Sequence, residues 1–159
     1  MAHSSPQEVH LFVDGASRGN PGPASAGVFG YVDTPDQVVC EMGAFLGTAT
    51  NNVAEYAGLA LALHLFTPQP NDPPRILRIH ADSLLMVKQF NGQFRVKNER
   101  LKGWFALVKD LARNVTCTVT HVRRELNKQA DRCANEGIDQ KIAPPASFTA
   151  LLSQRGLLP

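Results

Sequence analysis

The sequence predicts an α/β domain: a five-stranded mixed sheet with helices on both faces, in the order β-β-β-α-β-α-α-β-α. Three observations predict it. Short apolar runs rich in β-branched and aromatic residues are separated by turn signals near the start of the chain, as in a hairpin set. Later apolar runs alternate with segments of helical period, as in βαβ units. Right-handed crossovers then make the first strand and the fourth parallel, while the opening strands pair antiparallel.

Each element has its own signal. Val9–Val13 is an apolar run ending at Asp14 and predicts a buried strand. Residues 15–23 hold three glycines and two prolines and predict a loop. Ala24–Val32 and Val38–Leu46 predict two strands joined by the turn Asp33-Thr34-Pro35-Asp36. Asn51 and Asn52 stand before an alanine-rich apolar stretch reaching Phe66, which predicts a helix with an asparagine cap. Pro68, Pro70, Pro73 and Pro74 end that helix.

Ile76–Ala81 predicts a strand ending at Asp82, followed by a short helix from Ser83 to Phe90. Leu101, Trp104, Phe105, Val108 and Leu111 recur at helical spacing with Lys102, Lys109 and Arg113 outward. Val115, Cys117, Val119 and His121 alternate with threonines in a last strand, and Asn127 opens a last helix to about Gly137. Residues 8–140 are therefore read as the domain, 1–7 as a flexible N-terminus, and 141–159 as a tail with no assigned place.

Composition excludes several classes. Hydrophobic content of 43% and charged content of 19% are ordinary for a globular protein of 159 residues. The longest apolar run, Ala57–Leu63, is too short to span a bilayer. The N-terminal residues lack the pattern of a signal peptide, so no membrane partner and a cytoplasmic location are expected. Cys40, Cys117 and Cys133 are isolated in sequence and suggest neither a disulfide framework nor a zinc site. The net charge of +2 is small, but its distribution is uneven. Lys88, Arg95, Lys97, Arg100, Lys102, Lys109 and Arg113 face only Glu99 and Asp110, and Arg123, Arg124, Lys128 and Arg132 form a second cluster. Such clusters suit either a phosphate-facing surface or a solvated helix face.

The predicted topology delivers Asp14 and Asp82 to the carboxyl edge of parallel strands, where open α/β sheets bind ligands. Each acid also has a plainer role. Asp14 can start a turn, Glu55 can pair with Asn52 in a capping box, Asp82 can cap a helix, and Asp131 can favour a helix dipole. The glycine loop is not a phosphate-binding loop of the dinucleotide or P-loop kind. It leads into a strand rather than a helix, and its spacing differs.

Four motifs together carry a resemblance. Asp14-Gly15-Ala16-Ser17-Arg18-Gly19-Asn20-Pro21-Gly22-Pro23, Thr50-Asn51-Asn52-Val53-Ala54-Glu55, His80-Ala81-Asp82-Ser83 and Asn127-Lys128-Gln129-Ala130-Asp131 resemble, in order, the four motifs of the type 1 ribonuclease H family. The resemblance implies the ribonuclease H-like fold and hydrolysis of the RNA strand of RNA–DNA hybrids to 5′-phosphate and 3′-hydroxyl ends. It implies two Mg²⁺ ions, with Mn²⁺ as a substitute, because hard cations prefer oxygen ligands and a pair of them can serve both sides of a scissile phosphate. Asp14 would bridge both ions, Glu55 and Asp82 would complete one shell, and Asp131 would hold the other ion.

By the same resemblance Asn20, Asn51 and the backbone around Gly15 and Ser17 contact the RNA strand, with Asn52 supporting them. Thr50 and Asn98 match positions that grip a DNA phosphate, and Lys97 adds charge beside them. A 2′-hydroxyl is the group that separates RNA from DNA at such a site.

Two departures place the chain near a compact subgroup. The interval Ser83–Asn98 is too short for the basic helical protrusion of longer members, which implies a weaker salt dependence. Arg124 stands where many members carry a loop histidine, whereas His121 reads as a core or sheet-edge residue. Leu84 replaces a polar residue. Activity on double-stranded RNA is a further possibility for that subgroup. A monomer with no obligate protein partner is expected. The rival readings are a non-catalytic hybrid-binding module and a DNA-cutting relative of the same fold, the second opposed by Asn20, Asn51 and Asn52.

Overall fold

In the computed structural model, which describes residues 5–157, the apolar run at Val9–Val13 is the centre of a longer strand, β1 (Gln7–Ser17). Its alternate residues Val9, Leu11 and Val13 are buried in the core. β2 (Gly22–Val32) pairs antiparallel with β1, and β3 (Val38–Ala49) pairs antiparallel with β2. Then come α1 (Asn51–Phe66), β4 (Arg75–Ala81), α2 (Leu84–Phe90), α3 (Glu99–Ala112), β5 (Thr116–His121), α4 (Lys128–Asp139) and α5 (Ala146–Gln154). The sheet order is β3-β2-β1-β4-β5, with β1–β4 and β4–β5 parallel. The expected mixed sheet and its crossovers are present.

The two sheet faces are covered differently. α1 is buried from Tyr56 through Leu63, because the sheet lies on one side of it and α3 on the other. This explains why its apolar residues run all round rather than in a stripe. α4 covers the opposite face across β2 and β3. Glycines let it come close: a Cβ on Gly27 would lie 2.3 Å from the Ala130 carbonyl oxygen, and one on Gly43 2.3 Å from that of Cys133.

Three expectations change in detail. The loop expected over residues 15–23 shrinks to a turn over 18–21, because both flanking strands extend and the Arg18 N–H donates to the Pro23 carbonyl at 2.9 Å. The cap of α1 is Thr50 rather than either asparagine, since its hydroxyl accepts the Val53 N–H at 3.2 Å. Gln7, placed by the sequence in a flexible N-terminus, opens β1 and donates its N–H to the Pro74 carbonyl. Met1–Ser4 lie outside the described residues.

The tail acquires a place. Phe148 and Leu152 of α5 are buried in the main core, and Leu151 and Leu157 pack against it. The His64 ring bonds the Ser147 hydroxyl at 2.8 Å, and Arg155 donates to Asp110 at 2.7 Å. Phe148, Leu151 and Leu152 fall at i, i+3 and i+4, a helical signal in the sequence too short to register alone. A Leu152→Ala variant is expected to lose about 2–3 kcal/mol through the cavity it leaves. Urea unfolding monitored by Trp104 fluorescence would measure that loss, and an unchanged midpoint would show that α5 contributes little.

Candidate active site

The carboxylates are gathered by three elements. Parallel pairing of β1 with β4 ends at Val13–Ala81, so Asp14 and Asp82 follow side by side at the sheet edge. Glu55 comes from the second turn of α1, which lies against β1 so closely that a Cβ on Gly15 would sit 2.2 Å from the Ala54 carbonyl carbon. Only glycine permits that approach. One carboxylate oxygen each from Asp14, Glu55 and Asp82 lies within 4.8 Å of the others. Asp131, in the first turn of α4, stands on the wall of the same cleft of about 530 Å³ but outside that tight group of three.

Burial and like charge make this cluster costly. Asp14 is 5% exposed, and its carboxyl is pushed up to about 7 by burial first and the neighbouring Asp82 next, with Asp131 adding to the rise. The Gly15 N–H, 2.9 Å from Oδ1, and a hydrogen bond with Glu55 work against that rise. Glu55 is held well above the usual carboxylate range by burial, then by Asp14 and Asp82, while the Arg124 charge opposes this. Its Oε2 atom is buried with no hydrogen-bond partner.

An unsatisfied buried carboxylate oxygen beside two further carboxylates is a donor set that suits a hard divalent cation. Two of the plainer roles do not describe the site. Thr50 caps α1 while Glu55 Oε2 stays unpaired, and Ser83 rather than Asp82 caps α2, accepting the Met86 N–H at 3.2 Å. Asp131 does occupy the first turn of its helix, where the dipole favours it.

Gly15, Ser17, Asn51 and Asn52 line the cleft, and Arg124 does too. Asn20 reaches its rim indirectly, by accepting the Asn51 N–H at 3.1 Å. The Ser17 hydroxyl donates to the Ala49 carbonyl at 2.8 Å. Thr50 faces a separate hollow of about 320 Å³, shared with Arg100 and Trp104. Asn98 caps α3 by accepting the Arg100 N–H at 2.9 Å, and neither it nor Lys97 lines the carboxylate cleft. His121 is exposed at the end of edge strand β5 and does not line the cleft either.

Three residues take places in the site that the sequence does not assign them. Lys128 and Asn135 line the cleft, and Asn135 donates to the Asp131 carboxylate at 3.3 Å from one helical turn away. That i,i+4 spacing was visible in the sequence. Asn127 bonds Asp82 across 45 positions of chain, which no local pattern announces.

The chain matches the family described as Reverse transcriptase-like over residues 12–137. A ribonuclease HI of Halobacterium salinarum is 37% identical over 132 residues, covering 82% of this chain. The chain spans 64% of that relative's length. The crystal structure of ribonuclease H1 from Halobacterium salinarum superposes with a TM-score of 0.75 at 36% identity, covering 84% of this chain and 98% of the other. Another ribonuclease H1, solved in complex with an RNA/DNA hybrid, superposes with a TM-score of 0.73 at 34% identity, covering 84% and 98%. Fold and site thus define a hydrolase scaffold with an acidic cleft at the carboxyl edge of its sheet. The chain belongs to the type 1 ribonuclease H family.

Proposed function

We propose that the chain is an endoribonuclease that hydrolyses the RNA strand of RNA–DNA hybrids, leaving 5′-phosphate and 3′-hydroxyl ends, as a cytoplasmic monomer. The observation that carries this is the trio Asp14, Glu55 and Asp82, with an unpaired buried oxygen, at the floor of an open cleft rimmed by asparagines and cations. The relative that binds an RNA/DNA hybrid supports the substrate class. Asp14, Glu55, Asp82 and Asp131 would hold two divalent cations, Mg²⁺ or Mn²⁺. When bound, such a pair supplies positive charge against the charge that develops on the scissile phosphate.

The chain's own residues do the remainder. Asn51 and Asn52 are exposed at the first turn of α1 and offer side-chain amides to a 2′-hydroxyl, with Asn20 fixing the Asn51 backbone. Arg124 and Lys128 bring cationic groups to the phosphate side of the cleft. Thr50 and Arg100, in the adjoining hollow, are placed to take a phosphate of the DNA strand, with Asn98 holding the start of the helix that carries Arg100.

Beyond the cleft residue Ser83, α2 and the segment after it carry basic and aromatic side chains. Phe94 is 47% exposed with Lys88 Nζ 4.8 Å over its ring, Leu84 and Leu85 are also exposed, and Arg95 and Lys97 follow. Stacking and cation–π contacts of this kind suit a nucleic-acid strand. A Phe94→Ala variant is expected to raise KM for a hybrid about five- to tenfold, roughly 1 kcal/mol, with kcat unchanged. Steady-state kinetics with a labelled hybrid would show it. A fall in kcat at constant KM would place Phe94 elsewhere in the reaction.

The direct test is cleavage of a labelled hybrid in Mg²⁺, Mn²⁺ or EDTA, beside double-stranded RNA, double-stranded DNA and an Asp82→Asn variant. Metal-dependent cutting of the RNA strand alone, lost in Asp82→Asn, is the expected result. Hybrid binding without cutting in either metal would make the chain a binding module instead. The double-stranded RNA lane decides whether the compact form with Arg124 in its cleft has the broader substrate range.

A further inference from the structure

We propose that Asn127 is a positioning residue that orients the Asp82 carboxylate and locks the helix bearing Asp131 to the strand bearing Asp14. This rests on the metal-dependent reading above. Asn127 is fully buried. Its Nδ2 donates to the Val13 carbonyl at 2.9 Å and to Asp82 Oδ2 at 3.0 Å. Its backbone N–H donates to the Arg124 carbonyl at 2.9 Å, and its own carbonyl accepts the Asp131 N–H at 3.1 Å. One residue is thereby bonded to Asp82, to the residue before Asp14, to Arg124 and to Asp131.

Chemistry fixes the orientation of the amide. Turned the other way, its oxygen would face a carbonyl and a carboxylate, both acceptors. The orientation it takes leaves Oδ1 buried with no partner. Packing alone does not account for such a residue, because a hydrocarbon side chain of similar size would fill the space without an orphaned acceptor. What only the amide supplies is the two-way donor to Val13 and Asp82. Groups that hold a ligating carboxylate by its second oxygen set ligand direction and so cation affinity.

The test uses Asn127→Leu, similar in size and lacking the donor, with Asn127→Ser as the second variant if the first does not fold. Isothermal titration of the protein alone with Mn²⁺ gives the Kd, and the Tm in EDTA reports the fold. The Mn²⁺ Kd is expected to weaken about 10- to 100-fold. The metal concentration for half-maximal cleavage should rise in parallel, with KM for the hybrid within about twofold, and Tm in EDTA should fall by the few degrees that one lost buried bond to Val13 costs. A purely structural role would lower the Tm and leave the Kd of the folded variant alone. A folded variant with a Kd within about twofold of the parent overturns the role given to Asn127. A parent that neither binds Mn²⁺ nor cuts hybrid overturns the metal-dependent reading beneath it.

Discussion

An Asp14→Asn variant is expected to lose about a thousandfold or more in kcat, yet to melt at a higher temperature than the parent in EDTA at pH 8. The two effects share one cause. Asp14 is buried beside Asp82, and its carboxyl is pushed up to about 7, so at pH 8 the folded protein carries a charge that its surroundings disfavour. A rise from 3.8 to about 7 corresponds to on the order of 4 kcal/mol of strain on the fold once the group is ionised. Asparagine has nearly the same shape and removes the charge, while its amide oxygen still accepts the Gly15 N–H. The same change deletes one of the three carboxylates that converge within 4.8 Å of one another, so the activity goes. Calorimetric melting in EDTA and single-turnover cleavage in Mg²⁺ measure the two halves. A variant that melts lower than the parent in EDTA would mean that the Asp14 charge is compensated in the fold. Near-normal kcat would remove Asp14 from the active site.

The elements that position this cluster were legible because they follow local rules. Val9–Val13 and Ile76–Ala81 are short apolar runs of strand length, and each is followed by an acid. The parallel pairing of those strands, which sets Asp14 beside Asp82, follows from the handedness of crossovers rather than from any contact readable in sequence. Glu55 needed a motif to be noticed. Its position in α1 resembles a capping box, and only the close packing of that helix on Gly15 turns it inward.

What the sequence left open depends on distant contacts. α1 starts on Thr50 because the hydroxyl lies at the right reach for the Val53 N–H, which asparagine propensity alone does not exclude. Extension of β1 through Ser17 is a tertiary effect: pairing with β2 absorbs residues whose glycine content signals a loop. The tail was unplaced because nine helical residues with three apolar contacts carry little periodic signal, although they close the core beneath α1 and α3. Thr50 and Asn98 match substrate-gripping positions, yet both serve as helix caps here, so a contact that either makes with a phosphate is made by a group that already holds the fold.

In EDTA the carboxylate cluster is expected to withdraw stability as the pH rises from about 4 to about 7, and Mg²⁺ is expected to restore it. The sign follows from the direction of the shifts. Asp14 and Glu55 are both raised above their unfolded values, so their contribution is fully present below those values and is lost as each ionises in the fold. For Asp14 the window runs from 3.8 to about 7, and the loss approaches about 4 kcal/mol at its upper end. His64 and His80 act in the opposite sense, since burial holds both below 6.5 and their contribution rises as the pH climbs toward 6.5 and is complete above it. Comparing the parent with Asp14→Asn across the range cancels the histidines and leaves Asp14 together with the part of the Glu55 rise that Asp14 causes. A cation must displace the protons that the cluster retains, so binding is weak at pH 5 and strong at pH 8. At a hundred times its Kd the cation stabilises the fold by about 2.7 kcal/mol. The gain in Tm on adding Mg²⁺ should therefore grow steeply from pH 5 to pH 8 and be largely absent from Asp14→Asn. Proton release, seen as a binding heat that depends on the ionisation enthalpy of the buffer, should accompany it near pH 6.5. Equal Tm gains at pH 5 and pH 8 would mean that the cation binds without displacing protons from Asp14 and Glu55.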